Sequence, residues 1–73
     1  MSTIVAIGDA AHVEGFALCG AIVNIASEPD AVRRAWDDLG DDVGLVVLSA
    51  TAADVLGDAR RSRHKTLTVV MPA

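Results

Sequence analysis

The sequence predicts a single α/β domain in which a four-stranded parallel sheet lies between helices, in three layers. Two observations lead to that prediction. Short apolar runs rich in β-branched residues alternate along the chain with segments that have helical spacing. Strands that alternate with helices form parallel sheets with right-handed crossovers, which place helices on both faces. The 73 residues fit one domain, residues 1–73.

The first third of the chain predicts a strand, a helix and a second strand. Thr3–Ile7 is a run rich in β-branched residues, typical of a strand buried on both faces, and a glycine-aspartate pair ends it at Asp9. His12–Cys19 has helical spacing, and Gly20 stands where a C-terminal cap belongs. Ile22–Ile25 is the second strand.

The segment SEPDAVRRAWDDLG predicts the second helix. Ser27 is the expected N-cap, Pro29 lies in the first turn, and Gly40 ends the helix. One apolar stripe is expected to face the core. Its members are Val32, Ala35, Trp36 and Leu39.

The second half of the chain predicts a strand, a helix and a last strand. Gly44–Leu48 is the third strand, and Thr51 is the expected N-cap of the third helix. That helix is expected to bury Ala52, Val55, Leu56 and Ala59. Thr66–Met71 is the fourth strand. The expected strand order is 2-1-3-4, as in flavodoxin-like and receiver domains.

Composition excludes several classes of function. The net charge of −4 speaks against nucleic acid or an anionic membrane surface as a partner. The single cysteine, Cys19, excludes an internal disulfide, fits a reducing compartment and is expected to be a small buried apolar residue. No signal-peptide pattern and no membrane-spanning apolar run is visible. We therefore expect a cytoplasmic protein with no direct membrane insertion.

The turn after the first strand is where α/β proteins bind phosphates and nucleotides, so Asp9 is a candidate site residue. The turn lacks the G-x-G-x-x-G and P-loop patterns. A receiver domain needs further acids and a lysine, but Ser49 ends the third strand and Pro72 follows the fourth. We therefore expect the Asp9 carboxylate to accept hydrogen bonds from loop and helix amides.

No set of residues in the sequence forms a recognisable catalytic or metal-binding pattern. His12 and His64 are far apart in sequence, and no cysteine or acid spacing joins them into a metal site. No nucleophile, base and orienting residue can be assembled. The run from Arg60 to Lys65 fits a charged helix end or a docking patch for an acidic protein surface. We therefore expect no catalytic residue, cofactor or metal, and a small interaction module.

The opening segment, IVAIGDAAHVEGFALCGA, resembles the start of the F subunit of the V-type and A-type ATP synthases. Members of that family begin with a strand ending in Ile-Gly-Asp, followed by a short polar loop, Gly-Phe and Leu-x-Gly. The matching residues are Ile7-Gly8-Asp9, Gly15-Phe16 and Leu18-Cys19-Gly20. SEPDAVRRAWDDL, VGLVVLS and LTVVMPA are similar to the family's second helix, third strand and fourth strand, so the resemblance covers essentially the whole chain.

The resemblance implies a non-catalytic component of the rotating central stalk, in a short form that lacks the family's C-terminal helical tail. Members of the family dock on the coiled coil of the D subunit and help to couple ATP synthesis or hydrolysis to ion transport, such as proton transport. They lie in the cytoplasmic sector, peripheral to the membrane. The residues expected to bind the partner are Asp9, His12, Glu14 and Phe16 around the first turn, then Arg60 and Arg61.

Two alternatives stay open from the residues. In the first alternative, the chain is a degenerate receiver-like module that signals or binds a small ligand near Asp9 and Ser49 without phosphotransfer. The fourth strand would lie at an edge of the sheet, and it lacks the charges that usually protect an edge. That edge also allows a homodimer.

Overall fold

The computed structural model describes residues 3–62 and 66–71, apart from the side chains of Cys19 and Ser62. The strands are β1 (Thr3–Gly8), β2 (Ile22–Ile25), β3 (Val43–Leu48) and β4 (Leu67–Val70). The α-helices are α1 (Ala10–Val13), α2 (Pro29–Asp37) and α3 (Ala50–Leu56). Two 3₁₀ segments, Glu14–Cys19 and Gly57–Ser62, follow α1 and α3. The predictions for the Cys19 side chain, His64 and Pro72 lie outside the described residues.

The four strands form one parallel sheet in the order β2-β1-β3-β4, which confirms the predicted fold class and strand order. β1 and β3 are the central strands, and Val5 lies beside Ile22 of β2 on one side and Val46 of β3 on the other. Ile7 and Leu48 have no exposed surface. The continuous apolar runs were therefore a correct sign of strands that are buried on both faces.

Helices α2 and α3 cover one face of the sheet and enclose the main core. From α2 and the residues after it, Val32, Trp36 and Leu39 are buried, and Ala35 packs against them, as the apolar stripe predicted. From α3, the buried residues are Ala52, Ala53 and Leu56, and Val55 is half-buried.

The other face of the sheet is covered much less completely. Among the described residues, its buried cluster contains Ala6, Val13 and Val47, with partly buried neighbours around them. Helix α1 contributes four residues, and the 3₁₀ segment that follows it lies against β2. Leu67 and Val69 pair with Leu45 and Val47 of β3, so they belong to this face, yet they stay 66% and 45% exposed. Among residues 3–62 and 66–71, no helix covers the half of this face formed by β3 and β4.

The predicted starts of all three helices were wrong, and α2 ends at Asp37 and not at Gly40. The first helix begins at Ala10, before His12, and becomes a 3₁₀ helix from Glu14 onward. Gly15 lies at that change, and glycine weakens an α-helix by about 1 kcal/mol relative to alanine. The N-cap of α2 is Glu28, because Pro29 occupies the first helical position. Gly20 does close the first helical segment, with a φ of 86°.

Helix α3 also begins earlier than predicted. Its N-cap is Ser49 and not Thr51: the Ser49 Oγ accepts a hydrogen bond of 3.1 Å from the backbone N–H of Ala52. The helix ends at Leu56, since Gly57 has a φ of 50°. Ala59 was expected on the buried face, but it lies beyond that break and is exposed. Within the described residues, no helix has the length and apolar character that a membrane crossing requires.

Candidate functional site

The carboxyl edge of the central strands forms a small cavity of about 170 Å³, lined by both polar and apolar residues. Asp9 follows β1, Ser27 follows β2, and Ser49 and Thr51 stand at the start of α3. In this strand order, β1 and β3 form the position where the chain turns to opposite sides of the sheet, which is where open α/β sheets bind ligands. Val32, from α2, supplies part of the apolar wall.

Ser49 is the buried centre of this cavity wall. Only 3% of the residue is exposed, its N–H donates to the carbonyl of Ile7 at 3.1 Å, and its Oγ caps α3. Gly8 lies directly against it: a Cβ built on Gly8 would stand 2.7 Å from both Cβ and Oγ of Ser49. The glycine therefore allows β1 and the start of α3 to approach each other this closely.

Asp9 makes a hydrogen-bonded pair with His12. The His12 Nδ1 lies 2.7 Å and 2.8 Å from the two carboxylate oxygens, and it donates to them because an ionised carboxylate can only accept. This hydrogen bond from His12 holds the pKa of Asp9 below its ordinary value of 3.8. The Asp9 carboxylate was expected to accept hydrogen bonds from loop and helix amides, and the backbone N–H groups of Asp9 and His12 do help to lower its pKa. The Asp9 side chain nevertheless makes no cap hydrogen bond. Its backbone carbonyl does accept from the N–H groups of His12 and Val13.

The arrangement is suited to hydrogen bonding. Asp9 is the one carboxylate among the residues described as lining the cavity, and the other polar groups there are the hydroxyls of Ser27, Ser49 and Thr51. Across residues 3–62 and 66–71, no three or more histidine, cysteine, aspartate and glutamate side chains gather as metal ligands would. The residues present can therefore bind small polar groups through hydrogen bonds.

The four residues predicted around the first turn differ in exposure. Asp9 and His12 touch each other and are partly open to solvent, at 36% and 48% of their side chains. Glu14 is exposed on the 3₁₀ segment. Phe16 is half-buried and packs against Val13 and its cluster, so much of its ring belongs to the core. The partner-binding role of these residues stays a prediction.

The predicted basic residues do not lie beside the first turn. Arg60 and Arg61 belong to the 3₁₀ segment that follows α3. Helix α3 covers the face of the sheet opposite to the first turn. Helix α3 also runs back from the carboxyl edge, so this segment lies toward the other end of the strands. The Arg60 Nε donates to the carbonyl of Gly57 at 3.2 Å, which holds this side chain against its own segment. The structure thus separates the two predicted groups.

The open half of the sheet is a surface that the site prediction missed. We call it the open apolar face, and define it as Ile4, Leu45, Leu67 and Val69. Strand register places Ile4, Leu45 and Leu67 side by side across β1, β3 and β4. The fourth strand was recognised in the sequence as an unprotected edge, and its edge position is confirmed. Leu18, on the same side of the sheet, is 92% exposed.

Comparisons with known proteins add no family assignment. No protein-family model matches the chain, and no curated protein sequence matches it. The likeness to the F subunit of rotary ATPases therefore rests on the sequence motifs alone.

Proposed function

We propose that this chain is a non-catalytic interaction module, and that it serves as an F-subunit-like component of the rotating central stalk of a V-type or A-type ATPase. In that role it binds a coiled-coil stalk protein and helps to couple ATP turnover to ion transport, in a cytoplasmic sector peripheral to the membrane. The observation that supports a docking role is the open apolar face, and the sequence motifs support the choice of family.

The open apolar face has the chemistry of a helix-binding surface. Parallel sheets bury both faces under helices, and here the described residues place no helix over the β3 and β4 half of this face. Leu67 and Val69 are 66% and 45% exposed. Full burial of one such side chain contributes about 1.5–3 kcal/mol. An amphipathic helix with apolar residues at i, i+3, i+4 and i+7 supplies that cover, and a coiled coil presents such helices.

The first turn supplies polar side chains at the carboxyl edge of the sheet. Asp9 and His12 form a hydrogen-bonded pair at the carboxyl edge, and Glu14 is exposed on the following segment. Docking interfaces combine an apolar centre with a polar rim that fixes orientation. With a net charge of −4, the chain favours a partner helix that carries basic residues beside its apolar stripe.

Binding to a purified coiled coil of the D-subunit type tests this proposal, with isothermal titration calorimetry as the measurement. Leu67→Asp places a charge on the open apolar face, and we expect it to weaken binding at least about tenfold, equivalent to 1.4 kcal/mol. Ile22→Asp is the matched control, because Ile22 is 55% exposed on the other edge strand, β2. The absence of a complex at micromolar concentration, or equal losses in both variants, would overturn the proposal.

A degenerate receiver-like or ligand-binding module is the second candidate, and the cavity beside Asp9 and Ser49 is the observation that favours it. The volume of about 170 Å³ is below the roughly 300–1,000 Å³ of typical ligand pockets, so only a small ligand fits. A thermal-shift screen with nucleotides, and treatment with acetyl phosphate and magnesium, separate the candidates. Ligand-dependent stabilisation without phosphoryl labelling would favour this second function, whereas labelling at Asp9 would overturn the absence of phosphotransfer that defines it.

A further inference from the structure

We propose that two copies of this chain pair through β4, edge to edge and antiparallel, to form one continuous sheet about a twofold axis. The pairing uses the backbone edge of the strand, whereas the proposed docking to a coiled coil uses the side chains above the sheet. The inference therefore does not depend on the proposed function.

The direction of the backbone groups on β4 follows from its pairing with β3. The N–H of Met71 donates to the carbonyl of Leu48 at 2.8 Å, and Leu67 and Val69 pair in register with Leu45 and Val47. Successive residues of a strand direct their N–H and C=O groups to opposite sides. Thr68 and Val70 therefore direct their N–H and C=O groups away from β3, toward the free edge.

This edge is complementary to a second copy of itself. With the twofold axis at Val69, Thr68 lies opposite Val70 of the partner subunit, and the two exchange both backbone hydrogen bonds. By symmetry, Val70 does the same with Thr68 of the partner subunit, as an interface between identical surfaces requires. Every outward backbone group of these two residues is then paired.

The side chains agree with this register. Val69 meets Val69 of the partner subunit, and Leu67 meets Met71 of the partner subunit, all on one face of the extended sheet. Direct pairs of β-branched and apolar residues across antiparallel strands stabilise a sheet, whereas like charges in that position destabilise it. Residues 66–71 contain no charged side chain, so a chain with a net charge of −4 meets itself here without repulsion between opposing residues.

The other edge of the sheet is less suited to such pairing. β2 consists of Ile22–Ile25, and Asn24 lies exposed within it. Asparagine is depleted in strands, while valine is enriched in them. A twofold axis on β2 would thus bring a poor strand former to the position where β4 has Val69. The β4 edge is therefore the one that we assign to self-association.

Sedimentation equilibrium of the whole chain over a range of concentrations tests the proposal. We expect a concentration-dependent species with twice the 7.5 kDa mass of one chain. Val69→Lys and Val69→Glu are each expected to lose the dimer, because identical charges would face each other across the axis. An equimolar mixture of these two variants should recover it. Recovery is specific to a register in which position 69 faces itself.

Ile25→Lys is the matched control, since Ile25 is 60% exposed at the opposite edge, and we expect it to remain dimeric. Far-UV circular dichroism verifies that each variant is folded. Amide hydrogen exchange gives an independent measurement: the N–H groups of Thr68 and Val70 should become protected as concentration rises. A monomer at all concentrations, a mixture that stays monomeric, dissociation by Ile25→Lys, or a dimer with these amides unprotected would each overturn the proposal.

Discussion

The contact between Gly8 and Ser49 leads to a prediction with a defined sign. Gly8→Ala would place a Cβ 2.7 Å from both Cβ and Oγ of Ser49, and 3.0 Å from Cγ1 of Val13. Gly8 does not have a positive φ, so alanine meets no backbone strain there. The cost is steric. It falls mainly on the Cβ of Ser49, which is fixed to the backbone and cannot rotate away.

The magnitude follows from two opposing contributions. Added atoms in a packed site cost typically 1–3 kcal/mol. Replacing glycine with alanine at a permissive position returns about 0.4–1 kcal/mol, because the unfolded chain loses freedom. We therefore expect Gly8→Ala to lower the free energy of unfolding by about 1–2 kcal/mol. A domain of this length loses roughly 4–8 °C in Tm per kcal/mol.

A double-mutant cycle with Ser49→Gly isolates the contact. Glycine at an N-cap is only a few tenths of a kcal/mol worse than serine, and this change removes both Ser49 atoms that the new Cβ would meet at 2.7 Å, which leaves Cγ1 of Val13 at 3.0 Å. In that background, Gly8→Ala should be within about 0.5 kcal/mol of neutral, which gives a coupling energy of about 1–2 kcal/mol. Urea unfolding followed by circular dichroism measures all four chains.

Gly15→Ala is the matched control, because a Cβ there meets nothing within 4 Å and the residue does not have a positive φ. It should be neutral or stabilise the fold by up to about 1 kcal/mol. If Gly8→Ala lowers the free energy of unfolding by the same amount in the parent chain and in the Ser49→Gly chain, the close approach of β1 to the start of α3 does not cause the effect. The steric reasoning would then be refuted.

Three further predictions concern the cap, the acid–imidazole pair and one turn. Ser49→Ala should lower the free energy of unfolding by about 1 kcal/mol, while Thr51→Ala stays within about 0.5 kcal/mol of the parent in urea unfolding; the reverse order would contradict the assigned cap. NMR titration should give Asp9 a pKa below 3.8 that returns toward this value in His12→Ala, and an unchanged pKa would refute the pair. The stabilisation that the pair gives to the fold is present above the unfolded-state pKa of Asp9 and is lost as the pH falls through the folded-state pKa. Gly20→Ala should cost about 1–2 kcal/mol in thermal unfolding because of its φ of 86°, and an unchanged Tm would show that the turn relaxes.

Local patterns were sufficient for the layer structure but not for the helix ends. The apolar runs of β1 and β3 predicted buried strands because hydrophobic burial depends on composition over several residues. The caps depend on a single hydrogen bond, and Ser49 and Thr51 are both suitable residue types within one turn. Ser49 is the cap because β3 ends immediately before it, and the residue at which β3 ends depends on the pairing of the whole sheet.

The sequence alone determined the α/β class, the strand order and the apolar stripe of α2, since alternation of strands and helices with right-handed crossovers leaves few topologies. It also determined that Asp9 would lie at the carboxyl edge of a central strand. Only the tertiary structure decided that Asp9 pairs with His12, and that Leu67 and Val69 remain exposed in a run typical of a buried strand. The physical reason is that the exposure of a strand's side chains depends on which other elements pack against the strand. The strand's own sequence does not determine that packing.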